Sequence, residues 1–332
     1  MPKHRRFPFL LALAGGSVAA FVVVWPQGVG IHRLPLVANA ISLRALLALG
    51  FGVAALLVAG VAVWRRRWGV AAALSIALAM ASVGNGAVLL ARGGGAPVQP
   101  GELTIAAWNT YGGSVTPETI ARMVRETGAD VVSLPETDAV AAAEVAGILD
   151  REGISMAHDT VAAAPDGEVI PTSILISRAL GEYELDADAG STVGLPSGVW
   201  RSVDGSGPIL VAAHPMPPLP GVTDRWELGL GWIADRCTDS DVIVAGDLNS
   251  TVDHFAGLGV DGATIGGCRD AAAEAGSAAA GTWPVRLPVG LAAPIDHVLV
   301  GSAWRVNGFA VLDGFDDAGT DHRPIVATLT PQ

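Results

Sequence analysis

The run Val242-Ile243-Val244-Ala245-Gly246-Asp247-Leu248-Asn249 brings an acid and an amide, two residues apart, to the end of an apolar, strand-like segment. Asp247 and Asn249 so placed can hold a water or a phosphate oxygen on one face. Two comparable segments follow, Ile295-Asp296-His297-Val298-Leu299-Val300 and Thr320-Asp321-His322-Arg323-Pro324-Ile325-Val326. There His322 can bind phosphate or take a proton, and Asp296 can hold its second ring nitrogen and raise its basicity. Asn109 and Glu136 each close an apolar run. Glu136 offers hard oxygen ligands to Mg2+, while Asn109 can fix a phosphate oxygen or a water on the ion. His214 ends Ile209-Leu210-Val211-Ala212-Ala213 and leads into Pro215-Met216-Pro217-Pro218, a stiff loop from which it can hydrogen-bond phosphate. Phosphoester hydrolysis needs a divalent ion, a group that aligns or deprotonates water, and donors that grip developing charge. These residues supply all three, with Mg2+ as the expected ion and Mn2+ as its substitute. His158, His254 and His297 lack a comparable setting.

Strands must deliver these side chains. Leu103 to Trp108 and Ala129 to Leu134 read as strands, as do segments near Pro171 to Ser177, Ile209 to Ala213 and Asp241 to Ala245. Helical spacing runs over Pro117 to Thr127, with Ile120, Val124 and Met123 inward, Thr116 as cap and Pro117 in first position. Ala139 to Glu152 and Arg225 to Cys237 read as further helices. Short strands with polar ends, covered by helices, predict two packed sheets with active loops along one edge. Ala271 to Gly281 is small-residue sequence that reads as a mobile surface loop.

Charge divides the chain. All 32 acidic residues lie at or beyond Glu102, where only 11 Arg and no Lys oppose them, giving that part a formal charge of −21. Before it lie three apolar stretches, with spans expected at about 7–27, 43–64 and 69–91, each able to cross roughly 30 Å of hydrocarbon. Buried helices of a large soluble protein do not explain three such runs in one block. A cleaved signal peptide fits the first run poorly, because Val-Val-Val-Trp-Pro-Gln is no small-residue cleavage site. Lys3, His4, Arg5 and Arg6 before the first span and Arg65, Arg66 and Arg67 between the second and third set the cytoplasmic side. Arg33 and Arg44 weigh weakly the other way. Three crossings then put the acidic part outside, where a Cys237–Cys268 disulfide can form. The expected domains are a transmembrane region over 1–92, a flexible Gly/Pro linker over 93–101 and a catalytic domain over 102–332.

Asn109, Pro135-Glu136, His214, Gly246-Asp247-Leu248-Asn249, Ile295-Asp296-His297 and Asp321-His322-Arg323-Pro324 resemble, in order, the successive motifs of the endonuclease/exonuclease/phosphatase superfamily. That superfamily includes secreted deoxyribonucleases, abasic-site endonucleases, sphingomyelinases and inositol phosphate phosphatases. The resemblance covers residues 103 to 330 and implies a DNase-like four-layer α/β/β/α sandwich, here preceded by an all-α transmembrane region of three helices. It also implies roles. Glu136 is the principal metal ligand with Asp321 and Asn109 close by, Asp247 aligns or activates water, and Asn249 binds phosphate. His322 with Asp296 forms the pair at the scissile group, and His214 supports the transition state. Many relatives have Gln where this chain has Pro135. The basic residues that nucleases spread around their site are sparse, leaving Arg178, Arg201, Arg225 and Arg323 available.

A nucleic-acid partner is disfavoured by the acidic charge, since backbone binding relies on Lys and Arg replacing counterions. Three spans and a linker reaching roughly 35 Å favour a membrane-borne phosphate, diphosphate or phosphodiester. The arrangement resembles actinobacterial membrane members of the superfamily, among them a group similar to glycopeptide-resistance proteins that dephosphorylate undecaprenyl diphosphate outside the cell. An extracellular nuclease or phosphodiesterase, and an inactive envelope-binding module, are the competing expectations.

Overall fold

The computed structural model describes residues 3–66, 69–162, 170–261 and 264–332. The chain folds as two compact units, Met1–Arg92 and Gly93–Gln332.

The first unit is helical, with α1 (Lys3–Val24), α2 (Pro35–Ser42), α3 (Arg44–Trp64) and α4 (Gly69–Arg92). The windows Phe7–Val24, Arg44–Trp64 and Gly69–Arg92 have mean hydropathies of 2.3, 2.6 and 1.8 and are long and apolar enough to cross a membrane. Small residues set their packing. Ala73, Ala77 and Ala81 are buried along one face of α4, and an added Cβ at Gly16 would lie 2.7 Å from Ala77 Cβ. Leu10, Phe21, Leu56, Leu57 and Leu90 face outward. The loop expected after the first span holds α2, which begins on Pro35 in the position where a missing N–H costs nothing. Buried Arg44 donates from Nη1 to Asn85 Oδ1 at 2.8 Å and to Val24 O at 3.1 Å, tying α1, α3 and α4 together. Arg67 lies outside the described residues.

The second unit is a DNase-like α/β sandwich core. Its strands are β1 (Leu103–Ala107), β2 (Val131–Pro135), β3 (Met156–Val161), β4 (Thr172–Ser177), β5 (Tyr183–Leu185), β6 (Gly198–Ser202), β7 (Ile209–Ala213), β8 (Val242–Asp247), β9 (Arg269–Asp270), β10 (Asp296–Val300), β11 (Trp304–Val311) and β12 (Ile325–Pro331). Its helices are α5 (Pro117–Thr127), α6 (Ala139–Arg151), α7 (Thr223–Arg236) and the single turn α8 (Ala271–Glu274). Two mixed six-stranded sheets run β11-β12-β1-β2-β4-β3 and β5-β6-β7-β8-β10-β9. Strand alternation divides the side chains between two cores. Ile105, Val131, Ile174 and Ile325 of the first sheet meet Trp200, Leu210, Ile243 and Val298 of the second, while Ala106, Val132, Leu134 and Leu175 pack under α5 and α6. Helix α5 starts where the sequence places it, with the Thr116 side chain accepting from Thr119 N, a cap contributing about 1 kcal/mol.

Two segments depart from expectation. Ala271 to Gly281 is no surface loop, because Ala271, Ala272, Ala278 and Ala280 are buried and the first three join the core between the sheets. Small side chains serve here because the backbone itself comes close: a Cβ on Gly281 would strike Ala292 O. Both ends of the expected linker over 93–101 make backbone contacts with the second unit. Gly93 O accepts from Ala279 N, Gln99 O from Thr328 Oγ1 and Pro100 O from Asn307 Nδ2. Cys237 and Cys268 form a disulfide with Cα atoms 5.2 Å apart.

Candidate active site

Strand direction gathers the polar residues. β1 and β2 are parallel, as are β7 and β8, so the segments leading to Asn109 and Glu136, and to His214 and Asp247, exit on common sides. β12 is antiparallel to β1 and β10 to β8. Asp321-His322 therefore precedes β12 beside the end of β1, and Asp296 opens β10 directly opposite Asp247. The sequence expectation of strand ends holds, although Asp296 and Asp321-His322 sit at the amino ends of antiparallel strands.

Gly246 lets β8 run close against β7. It sits at φ 151°, paired with Ala213, and a Cβ there would strike the Ala213 carbonyl. Three non-glycine residues around the site, Tyr111, Glu136 and Asn249, have φ values of 52°, 62° and 49°, a left-handed conformation costing on the order of 1–3 kcal/mol each. Local hydrogen bonds hold them there. Thr110 Oγ1 donates to Glu136 O at 3.0 Å, Tyr111 N to Asn109 Oδ1 at 2.9 Å, and Asn249 N to Asp247 Oδ1 at 2.9 Å.

Asn109 is the bridge. Its Nδ2 donates to Glu136 Oε1 and to Asp247 Oδ2, each at 3.0 Å, joining an exit from one sheet to an exit from the other. Its own carbonyl receives Thr320 Oγ1 at 2.9 Å, and Thr320 Oγ1 in turn accepts from His322 N. Trp108 Nε1 donates to His322 O at 2.9 Å. The Asp321-His322 turn is thus anchored to the end of β1. Asn249 Nδ2 donates to Pro215 O at 3.0 Å, which binds the loop after β8 to the loop after β7.

The two imidazoles are pushed in opposite directions. His322 Nδ1 is 2.9 Å from Asp296 Oδ2, and its Nε2 faces Asp247 Oδ2 at 3.7 Å and Asp321 Oδ1 at 3.9 Å. Burial disfavours its cation, but Asp296, Asp247 and Asp321 together push its pKa up to about 10. His214 is buried with Nε2 3.9 Å from both Glu136 Oε1 and Asp247 Oδ2. Burial lowers its pKa to about 4, the pull of Asp247 notwithstanding, and the charge on His322 adds to that lowering. Burial raises the Asp247 carboxyl, against His322 and His214.

Asp247, Asp296 and His322 present atoms of metal-ligand type all within 4.8 Å of one another, but Asp296 Oδ2 is taken by His322 Nδ1 at 2.9 Å, which leaves a divalent ion to the carboxylate oxygens around the pair. The wider donor set suits a hard cation as well. Asp296 Oδ1 and Asp321 Oδ1 are buried carboxylate oxygens without a hydrogen-bond partner among the described residues, a situation that costs free energy unless a cation or donor meets them.

Sequence reading missed three contributors. Trp283 Nε1 donates to Asp321 Oδ2 at 2.8 Å. His297, on the face of β10 opposite Asp296, pairs through Nδ1 with Asp270 and through Nε2 with Ser250 O at 2.7 Å, fixing the residue after Asn249. Burial works against its charged form, yet Asp270 raises its pKa. Tyr111 is exposed beside Asn109. Only the Asp296-His297 pair offered a signal, since neighbours on a strand face opposite ways. The four arginines expected to be available are not equivalent. Arg323 is buried and bound to Asp316, Val285 O and Leu287 O, which commits its guanidinium to holding loops together. Arg201 pairs with Asp186 at 2.7 Å, and Arg178 follows β4 at the end away from Pro135. Arg225 lines a cleft with Met216 and Pro217.

Two facing mixed sheets with this acidic and imidazole cluster at one edge define a DNase-like sandwich, and the site is of the kind that metal-dependent phosphoesterases use. A family model for the Endonuclease/Exonuclease/phosphatase family matches residues 106–322, and the chain belongs to that family. No curated protein matches it. Among solved structures, an endonuclease/exonuclease/phosphatase from Beutenbergia cavernae is 20% identical, with 69% of this chain and 71% of that one covered and a TM-score of 0.52. A humanized D. rerio TDP2 is 19% identical over 68% and 98%, with a TM-score of 0.49. A mannosyl-6-phosphatase from Bacteroides thetaiotaomicron is 16% identical over 69% and 99%, with a TM-score of 0.48.

Proposed function

We propose that this protein is a Mg2+-dependent phosphoester hydrolase, anchored by three membrane spans, that acts outside the cytoplasmic membrane on a lipid-linked phosphate or diphosphate. The observation that carries the chemistry is the convergence of His322 Nε2 and His214 Nε2 on Asp247 Oδ2, at 3.7 and 3.9 Å, beside carboxylates with buried, unmatched oxygens. Glu136 and Asp321 would hold the ion, with Asn109 beside them; Mn2+ suits the same oxygen donors. Bound there, a divalent ion polarises a phosphoryl oxygen and offsets its developing charge.

The remaining work falls to the side chains. Asp247, held by Asn109 and by Asn249 N, accepts a proton from water and aims its oxygen at the terminal phosphorus. Asn249 and neutral His214 donate to phosphoryl oxygens. His322, steadied by Asp296, presents Nε2 on the same side as Asp247 and donates to a phosphoryl oxygen there, while the bond from phosphorus to the bridging oxygen breaks on the far side and that oxygen leaves with the bonding pair. For a diphosphate the products are inorganic phosphate and the chain's monophosphate.

The apolar helices, the basic flanks and the disulfide support the external placement. One experiment addresses chemistry and side together: phosphate release from a soluble isoprenyl diphosphate added outside intact spheroplasts. We expect Mg2+-dependent release, stopped by external chelator and lost by at least a thousandfold in Asp247→Ala. Release only after lysis would refute the placement. Purified protein that nicks plasmid and releases no phosphate would move the reaction to a nuclease.

A further inference from the structure

We infer that the cleft formed by the loop after β7 and the loop before β6 is a subsite for an apolar chain esterified directly to the reacting phosphate or diphosphate, an inference that rests on the hydrolase reading above. The cleft encloses about 290 Å3 and is walled by Ile170, Leu195, Met216, Pro217 and Val222, with the Arg225 side chain in its lining. Pockets that take whole small ligands span roughly 300–1,000 Å3, so a cleft at the lower end of that range has room for one substituent of a larger molecule.

Two of its walls lie on loops that also hold residues of the phosphate site. Met216 follows His214 by two residues, a separation of at most about 7 Å along the chain. Pro215, between them, holds Asn249 through its carbonyl. The opposite wall belongs to the loop whose Ser197 Oγ accepts the His214 backbone N–H at 2.8 Å. That loop is cross-braced, since Thr192 Oγ1 contacts Leu195 O and Ser197 Oγ, each at 2.6 Å. It also touches Met216 directly: a Cβ on Gly194 would run into the Met216 side chain. A braced cleft with mostly apolar walls, two residues along the chain from His214, matches a substrate whose hydrocarbon begins one or two phosphates from the attacked phosphorus. A bulky polar group such as a sugar would leave its hydroxyls unpaired against these walls.

The test compares kcat/KM for farnesyl and dimethylallyl diphosphate, using the full-length protein in lipid vesicles at fixed free Mg2+. Partition of the longer chain into the vesicles is common to all variants, so the change in the ratio between variants reports the cleft. Wild type should prefer farnesyl diphosphate. Met216→Ser should reduce that preference about tenfold, the scale of an apolar-pocket contact, mainly through the KM for the farnesyl compound. Met216→Leu should keep it, and Leu228→Ser, on the exposed face of α7, should leave the ratio where it is. The inference is overturned if wild type ignores chain length, if Met216→Ser leaves the ratio alone, or if it slows both compounds equally. Equal slowing is what a structural effect through Pro215 and Asn249 would give. Loss of chain dependence with hydrolysis intact removes the subsite alone, whereas no hydrolysis of either compound by wild type removes the hydrolase reading with it.

Discussion

His214 and His322 bring the same side chain to one cluster and are pushed in opposite directions, His214 toward its neutral form and His322 toward its cation. Both are buried, so desolvation penalises the cation at each. The difference is a direct carboxylate: Asp296 hydrogen-bonds His322, while His214 has acidic oxygens only at 3.9 Å. A donor held toward its neutral form and a donor held toward its cation thereby stand on either side of Asp247. The sequence placed both imidazoles at the site, because each stands at a strand end next to a proline or an acid. It was silent on what orients Asp321, since the partner, Trp283, lies 38 residues away in the chain and reads as one more aromatic. The Trp283 indole fixes Asp321 Oδ2 and so points Oδ1, the unmatched oxygen, toward the site. Trp283→Phe retains the ring and deletes that hydrogen bond. Its expected effect is a Mg2+ requirement raised 10- to 100-fold, as when a ligand's supporting hydrogen bond is removed, with kcat recovered at saturating Mg2+. A lowered kcat that Mg2+ does not restore would separate Trp283 from the ion.

At the scale of elements, the site is a consequence of strand direction. Parallel pairs at the centre of each sheet send four residues to one edge, and the antiparallel neighbours return three more. Much of this was legible. The apolar runs of β1, β2, β7 and β8 are bounded by polar residues, and α5 carries its cap and its inward stripe. The short or irregular strands were not, because β5, β9 and the bulged β11 owe their form to pairing with distant partners rather than to local pattern. Burial of Ala271, Ala272, Ala278 and Ala280 was hidden for a related reason: small residues fill close-packed sites as readily as loops. Gly246 is where element and site meet. Any side chain there must both strike Ala213 O and adopt φ near 151°, so β7 and β8 would part at the point that aims Asp247. Gly246→Ala should lower stability by on the order of 3 kcal/mol, read as an earlier urea midpoint. Its activity should fall further than its folded fraction. A variant with wild-type midpoint and wild-type rate would show that the close approach of β7 and β8 is not required.

Across the whole molecule, charge separates one class of substrate from another. The part from Glu102 onward combines 32 carboxylates with 11 Arg, and the structure binds several of those Arg internally, as with Arg323 to Asp316, Arg201 to Asp186 and Arg125 to Glu152. The field at the surface therefore repels a free anionic substrate and repels a polyanion more strongly. Salt screens that repulsion, because the Debye length shrinks from about 30 Å at 0.01 M to about 8 Å at 0.15 M. A protein that grips a nucleic-acid backbone behaves in the opposite way, losing affinity steeply with salt as each Lys or Arg contact releases a counterion. The sign of the salt dependence is thus a property of the full charge distribution and needs no knowledge of the headgroup. At fixed free Mg2+, kcat/KM for a soluble isoprenyl diphosphate should rise severalfold between about 0.01 and 0.15 M salt, and the gain should come from faster capture rather than from kcat. A steep fall over that interval would mean that a basic groove, not the acidic surface, governs substrate approach, and would return nucleic acid to first place among the substrates.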